Sequence, residues 1–204
     1  MKQLKLLIIM SLMIAIALLL SLFEIPLNDT VKFDLGDLVI MISVIILGYI
    51  PTLGVAFSRS FIRLWIKGFY PPSAIGETIG LIVSIILMTT VLVLIKFSQS
   101  SIIKRSIIYI PLTSITLTGG MLLLNTLFFT PIFYNLYQPV DGEFLFFYTQ
   151  LIRDTHFPDI QTYISYCLIT YIPINLAKSI TFSLICSLGL NYFLTFKQSY
   201  IIKH

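Results

Sequence analysis

Arg59 and Arg63 stand four residues apart, so a helix puts both guanidinium groups on one face. Such forks bind carboxylates through paired, charge-assisted hydrogen bonds. Asn175 and Lys178 are three apart and also share a face, just after Pro173, which reads as the start of a helix. Lys178 is then within reach of a ligand or of an acid near the same surface. Glu77 opens an apolar run, where a carboxylate suits a helix N-terminus. Asp34 and Asp37 flank a glycine in FDLGDL, and capping of the next helix accounts for them as well as ligand binding does. The arginines and Lys67 have a bland reading too, with long stems that carry their charges to a membrane surface.

Other chemistry finds no support in the residues. His156 and His204 lack metal-ligand spacing to any Cys, His or carboxylate, and Cys167 and Cys186 read as small apolar filler. No G-x-x-x-x-G-K-[ST], H-E-x-x-H or G-x-S-x-G is present. The sequence therefore predicts no catalytic residues, no metal and no cofactor. A net charge of +4 without a basic, aromatic-interleaved patch does not point to nucleic acid.

The elements that must position these residues are membrane helices. Of 204 residues, 57% are hydrophobic and 11% charged, with a mean hydropathy of +0.97. Soluble domains carry about 25% charged residues, and a core this small cannot hide so much apolar surface. A spanning helix needs roughly 20 apolar residues. Six segments qualify, at about 4–23, 36–50, 51–67, 76–96, 107–130 and 173–195, the second and third forming a tight hairpin through GYIPT. The basic start and apolar run at the N-terminus read as a retained first span. An aromatic-rich excursion covers 131–172, with a short interfacial helix expected at 144–153 or 160–171. The fold class is an all-α integral membrane protein, a single six-span domain over 1–204.

Charge orients it. Lys2, Lys5, Lys96, Lys104, Arg105, Lys197 and Lys203 fall on one side, and all nine acids fall on or beside the other. Cytoplasmic loops carry the Lys/Arg excess, so both termini are expected inside. Arg59, Arg63, Lys67 and Lys178 gather toward the outer half, where an ionisable group in a span costs about 2.5–3.5 kcal/mol and faces a cavity or a partner. Shared depth and facing mark Arg59, Glu77, Asn125, Asn175 and Lys178 as substrate-binding residues, and Asp34 and Arg63 join them. In the first span, Ser11-x-x-x-Ala15 and Ala17-x-x-x-Ser21 are small-residue pairs of the kind that let helices approach closely.

In order and spacing these residues resemble the substrate-capturing S components of energy-coupling factor (ECF) vitamin transporters, nearest the riboflavin-binding branch. FEIP (23–26) and FDLGDL (33–38) are similar to that branch's Glu-Ile-Pro and L-K-I-D-x-S-D-x-P. Arg59-Ser60 falls on its Lys-Asn, IGE (75–77) on its V-G-E, and LLLNTLFFTPIFY (122–134) on its fifth span. PINLAKS (173–179) resembles its P-x-N-x-x-K-G. Gly80 replaces the Asn expected there, Gly48-Tyr49 replaces a Gly-Pro, and the loop after Arg63 and the excursion are longer. These departures bear on the vitamin more than on the fold. The resemblance implies a vitamin pocket opening outward in the cell membrane and a coupling subunit against Ser11 and Ala15. Two cytoplasmic ABC ATPases would do the hydrolysis. It puts riboflavin first, while two deep arginines suit a carboxylate such as pantothenate's. An ion-coupled secondary transporter, with broken helices and inverted repeats, and a ligand-free membrane subunit are the rival classes.

Overall fold

In the structure, a computed structural model, the described residues are 2–23, 25–26, 32–97, 101–137, 157 and 159–199. The excursion's residues 138–156, with the helix expected at 144–153, lie outside them, as do His156, His204 and Lys203. α1 (Lys2–Ser21) leads through a two-residue antiparallel ladder, β1 (Ile25–Pro26) with β2 (Lys32–Phe33), to α2 (Gly36–Leu47). α3 (Tyr49–Ile66) and α4 (Pro71–Lys96) follow. Next, α5 (Ile102–Ser114), α6 (Gly120–Leu124) and α7 (Thr130–Tyr137) run as one rod through π turns at Ile115–Gly119 and Asn125–Phe129. α8 (Ile160–Lys197) closes the bundle.

α2 is the centre. It is apolar all round, which fits burial on every side, and Val39–Met41 and Ser43–Ile46 are all buried. α1, α3, α4 and α8 pack around it. Ile40, Val44, Val55, Leu87, Val91, Phe182 and Leu190 belong to one core. The outer faces are apolar as well: Leu4, Leu7, Ile8, Phe61, Trp65, Ile103, Ile115 and Leu188 are each more than half exposed. Water would penalise such a surface, and hydrocarbon would not. Four helical stretches are long and apolar enough to cross a membrane, Gln3–Ser21, Pro71–Lys96, Ile102–Phe133 and Ile160–Lys197, while Gly36–Leu47 is a shorter apolar helix.

The expected hairpin is present, with α2 and α3 meeting at Gly48. Its φ of +92° suits glycine, and its N–H donates to Val44 O at 3.0 Å. Two element boundaries need correction. α4 begins at Pro71, not 76, so Glu77 is outside the first turn and the helix dipole does not explain it. Pro173 lies inside α8, so residues 160–171 are not a separate interfacial helix and the last span does not begin at 173. The proline removes one N–H that would reach the carbonyl of Ile169, a loss that long membrane helices tolerate. The true start is Asp159, whose carboxylate accepts the Thr162 N–H at 2.7 Å. That bond holds the Asp159 carboxyl below its ordinary range.

Gly36 lets three helices meet. A Cβ there would lie 2.2 Å from Ser21 Oγ, 2.8 Å from Ala17 O and 2.8 Å from Arg59 Nη1. Gly36→Ala is expected to destabilise the detergent-solubilised protein by about 1–3 kcal/mol, the usual range for overpacking. Gly76→Ala, where an added Cβ meets nothing within 4 Å, should be neutral or stabilising by about 0.5–1 kcal/mol. Thermal unfolding of the two variants checks the contrast.

Candidate functional site

Seven charged side chains from five segments form one alternating chain, Lys178–Asp37–Arg59–Asp34–Arg63–Glu77–Lys67. Helix periodicity explains the reach of α3. Arg59, Arg63 and Lys67 stand a turn apart on one face and point in order at α2, at the segment before it and at α4.

Asp37 is the junction. Only 1% exposed, it accepts from Arg59 Nη2 at 3.0 Å and from Ser84 Oγ at 2.7 Å, and it pairs closely with Lys178 Nζ. Arg59 Nη2 also donates to Ser84 Oγ at 3.2 Å, closing a triangle across α2, α3 and α4. The Lys178 ammonium sits 5.8 Å from the Phe182 ring centre, within the range of a cation–π contact. Asp34, beside α2, accepts from Ser21 Oγ at 2.9 Å and from the Gly36 N–H at 2.7 Å, and it pairs with Arg63 Nη1. Its other ion pair, to Arg59 Nη1, is loose at 4.0 Å. Glu77 accepts from Arg63 Nε at 3.0 Å and Lys67 Nζ at 2.7 Å. Among the described residues four cations face three carboxylates in this chain, and Lys67, at 35%, is the most exposed of the four cations. Two N–H positions of Arg59, Nε and Nη1, are buried without a hydrogen bond.

Five of the sequence-predicted residues, Asp34, Arg59, Arg63, Glu77 and Lys178, thus meet in one network. Asn175 shares the helix with Lys178, but its amide donates to the Tyr171 carbonyl at 2.9 Å. Asn125 lies elsewhere, in a cleft with Ile75, Ile79, Phe129, Thr130, Phe133 and Tyr171. The cleft is partly open to the surroundings, and its cavity volume is about 20 Å³, room for about one water molecule as it stands. Asn125 opens the second π turn, which also carries Phe129. Thr130 and Tyr171 share a 2.7 Å hydrogen bond, tying α7 to α8 at the cleft wall. Ser11 and Ala15 are exposed on α1, whereas Ala17 and Ser21 turn inward.

In sequence Asp37 is divided between capping and ligand binding and not seen as an ion-pair junction, Ser21 reads only as a small packing residue, and Ser84 is missed. Asp34 does cap the start of α2, its carboxylate accepting the Gly36 N–H at 2.7 Å, whereas Asp37 lies within the first turn and faces Arg59, Ser84 and Lys178. The available signal was stoichiometric. Several cations in one layer of a bundle need carboxylates at the same depth, and FDLGDL supplies two. Lys178 is also far from the start of its helix. Counted from Lys197 it stands about 28 Å along the axis, close to the full ~30 Å of a hydrocarbon core. Its expected depth near one surface is compatible with a 38-residue helix that exceeds that thickness.

A family model described as ECF transporter, substrate-specific component, matches residues 5–188 of the chain. Searches of curated proteins and of solved structures find no match.

Asp37→Asn leaves Lys178 and Arg59 facing each other with no full counter-charge. Breaking a buried ion pair costs about 3–5 kcal/mol, so thermal or denaturant unfolding in detergent should show a large loss. Lys67→Met, at the exposed end, should cost about 0–1 kcal/mol.

Proposed function

The chain belongs to the ECF transporter substrate-specific component family, and we propose that it captures a vitamin from outside the cell, with riboflavin as its ligand. The observation that carries this reading is the Asn125 cleft. Its lining combines two phenylalanines and two isoleucines with one amide, one threonine and one tyrosine, a set suited to a flat, neutral heteroaromatic ring that stacks and accepts a few hydrogen bonds. The arginines do not compete for that role, because Asp34, Asp37 and Glu77 already hold them. In this reading Asp34, Arg59, Arg63, Glu77 and Lys178 fix the helices that frame the site, with Asn125 and Asn175 nearest the ring. A second reading, pantothenate, draws support from the two unbonded N–H positions of Arg59, which would suit a carboxylate.

Six crossings with both termini cytoplasmic fit the helices. α2 is about 18 Å long, short for a lipid-exposed span. Surrounded by other helices it needs no lipid contact, and its backbone is satisfied within the protein. Lys96, Lys104 and Lys197 sit at helix ends on the expected cytoplasmic side, whereas the described acids are at the opposite ends. A transmembrane coupling subunit would dock on the Ser11/Ala15 face of α1 and, with two cytoplasmic ABC ATPases, drive release in the plasma membrane. ATP hydrolysis would belong to those partners.

Purified alone, the chain should bind riboflavin with one-to-one stoichiometry in calorimetry, ahead of pantothenate, folate and thiamine. No binding to any of the four would overturn the vitamin reading, and pantothenate binding alone would favour the second. Asn125→Ala should weaken binding by about tenfold, the scale of one buried hydrogen bond. Lys178→Met in a protein that stays folded should weaken it as well, and unchanged affinity would remove Lys178 from the site. For topology, a reporter active only in the cytoplasm should work when inserted at Gln99 and fail at Gly68.

A further inference from the structure

Arg105 is the one buried cation among the described residues that the charge chain does not absorb. It lies in the first turn of α5, at the bundle end opposite Asp37, and is only 2% exposed. Its Nη1 donates to Asn191 Oδ1 of α8 at 3.2 Å, while its Nε is sealed and makes no hydrogen bond. Among the described residues no carboxylate lies within ion-pair distance. Every other buried Arg or Lys here has an acid against it: Arg59 and Lys178 share Asp37, and Arg63 takes Asp34 and Glu77.

A buried charge without a counter-ion is costly. The excess of basic residues that orients a membrane protein does not explain it, because an exposed lysine in a loop serves that purpose equally well. Asn191 fixes one edge of the guanidinium from α8, and one turn on along α5 Tyr109 meets Thr90 Oγ1 of α4 at 3.3 Å, joining those two helices. The remaining edge, Nε with Nη2, is the planar fork that takes two oxygens of an oxyanion, and a phosphate reaches Nε only when the packing that seals it opens. Lys104 is exposed beside it, and Lys96 and Lys197 end α4 and α8.

We propose that the free edge of Arg105, between α4, α5 and α8, binds the phosphate of an anionic lipid headgroup. The ligand chemistry is a phosphate oxyanion. A lipid is the favoured source because the residue stands at a helix end, the depth of the headgroup layer, where basic pockets between membrane helices collect anionic lipids. The inference needs the bundle to sit in a membrane but does not depend on which vitamin is bound.

The test uses the full chain in a mild neutral detergent, with phosphatidylglycerol, phosphatidylcholine and inorganic phosphate as probes. Native mass spectrometry reads retained lipid, and thermal unfolding reads stabilisation. Phosphatidylglycerol should be retained in preference to phosphatidylcholine and should raise the melting temperature. Arg105→Gln should weaken retention about tenfold, the scale of one charge-assisted hydrogen bond. Arg105→Lys, which keeps the charge and loses the fork, should fall between, and Lys104→Gln should change little. If inorganic phosphate alone gives the same Arg105-dependent stabilisation, the phosphate chemistry stands and the source is the solute. Equal retention of the two lipids by the wild-type chain overturns the proposal, and that comparison needs no variant to fold. So does an Arg105→Gln protein that keeps the lipid, or a Lys104→Gln protein that loses as much as Arg105→Gln.

Discussion

A single carboxylate, Asp37, receives the ammonium of Lys178 and the guanidinium of Arg59 where almost no solvent reaches. Desolvating those groups separately would cost several kcal/mol each. Together they offset that cost only if α2, α3, α4 and α8 keep one relative position. The requirement fixes more than charge. It sets the rotation of α3 that places Arg59 inward, and it demands the close approach at Gly36 that leaves room for Arg59 Nη1. It also anchors Ser84 of α4 as the neutral third partner. The apolar core around α2 supplies burial without direction, and the ion pairs supply the register.

That division of labour bears on the site. With the arginines held by their own carboxylates, the proposed pocket would select by shape, ring faces and a few uncharged donors and acceptors. The Asn125 cleft has that character, and it is built where the α5–α7 rod departs from α geometry. A π turn widens the helix by one residue and turns side chains that a regular helix would aim elsewhere. Asn125 and Phe129 both lie in such a turn.

Membrane class, the α2–α3 hairpin and the pairing of Arg59 with Arg63 were legible because each rests on local composition or on a three- or four-residue spacing. Asp37 was harder. Its partners are 22 residues away at Arg59 and 47 away at Ser84, and in sequence an aspartate near a helix start looks like a cap. The length of α8 was hidden by Pro173, which by local rules begins a helix; inside a bundle the neighbouring helices outweigh its one lost bond. Glu77 misled in the same way, since the helix start that seemed to explain it lies six residues earlier, at Pro71. The π turns were not read from the sequence; the first packs against α8 and α4 and the second against α8.

The most direct test of the account is a double-mutant cycle on Asp37 and Lys178. Unfolding free energies would be measured in one detergent for the wild type, Asp37→Asn, Lys178→Met and the double variant. If the pair sets the register of the bundle, each single change is costly and the double change costs less than their sum, by about 1–3 kcal/mol of coupling. Additive losses, with no coupling beyond about 0.5 kcal/mol, would contradict it and leave the apolar core as the sole organiser of the fold.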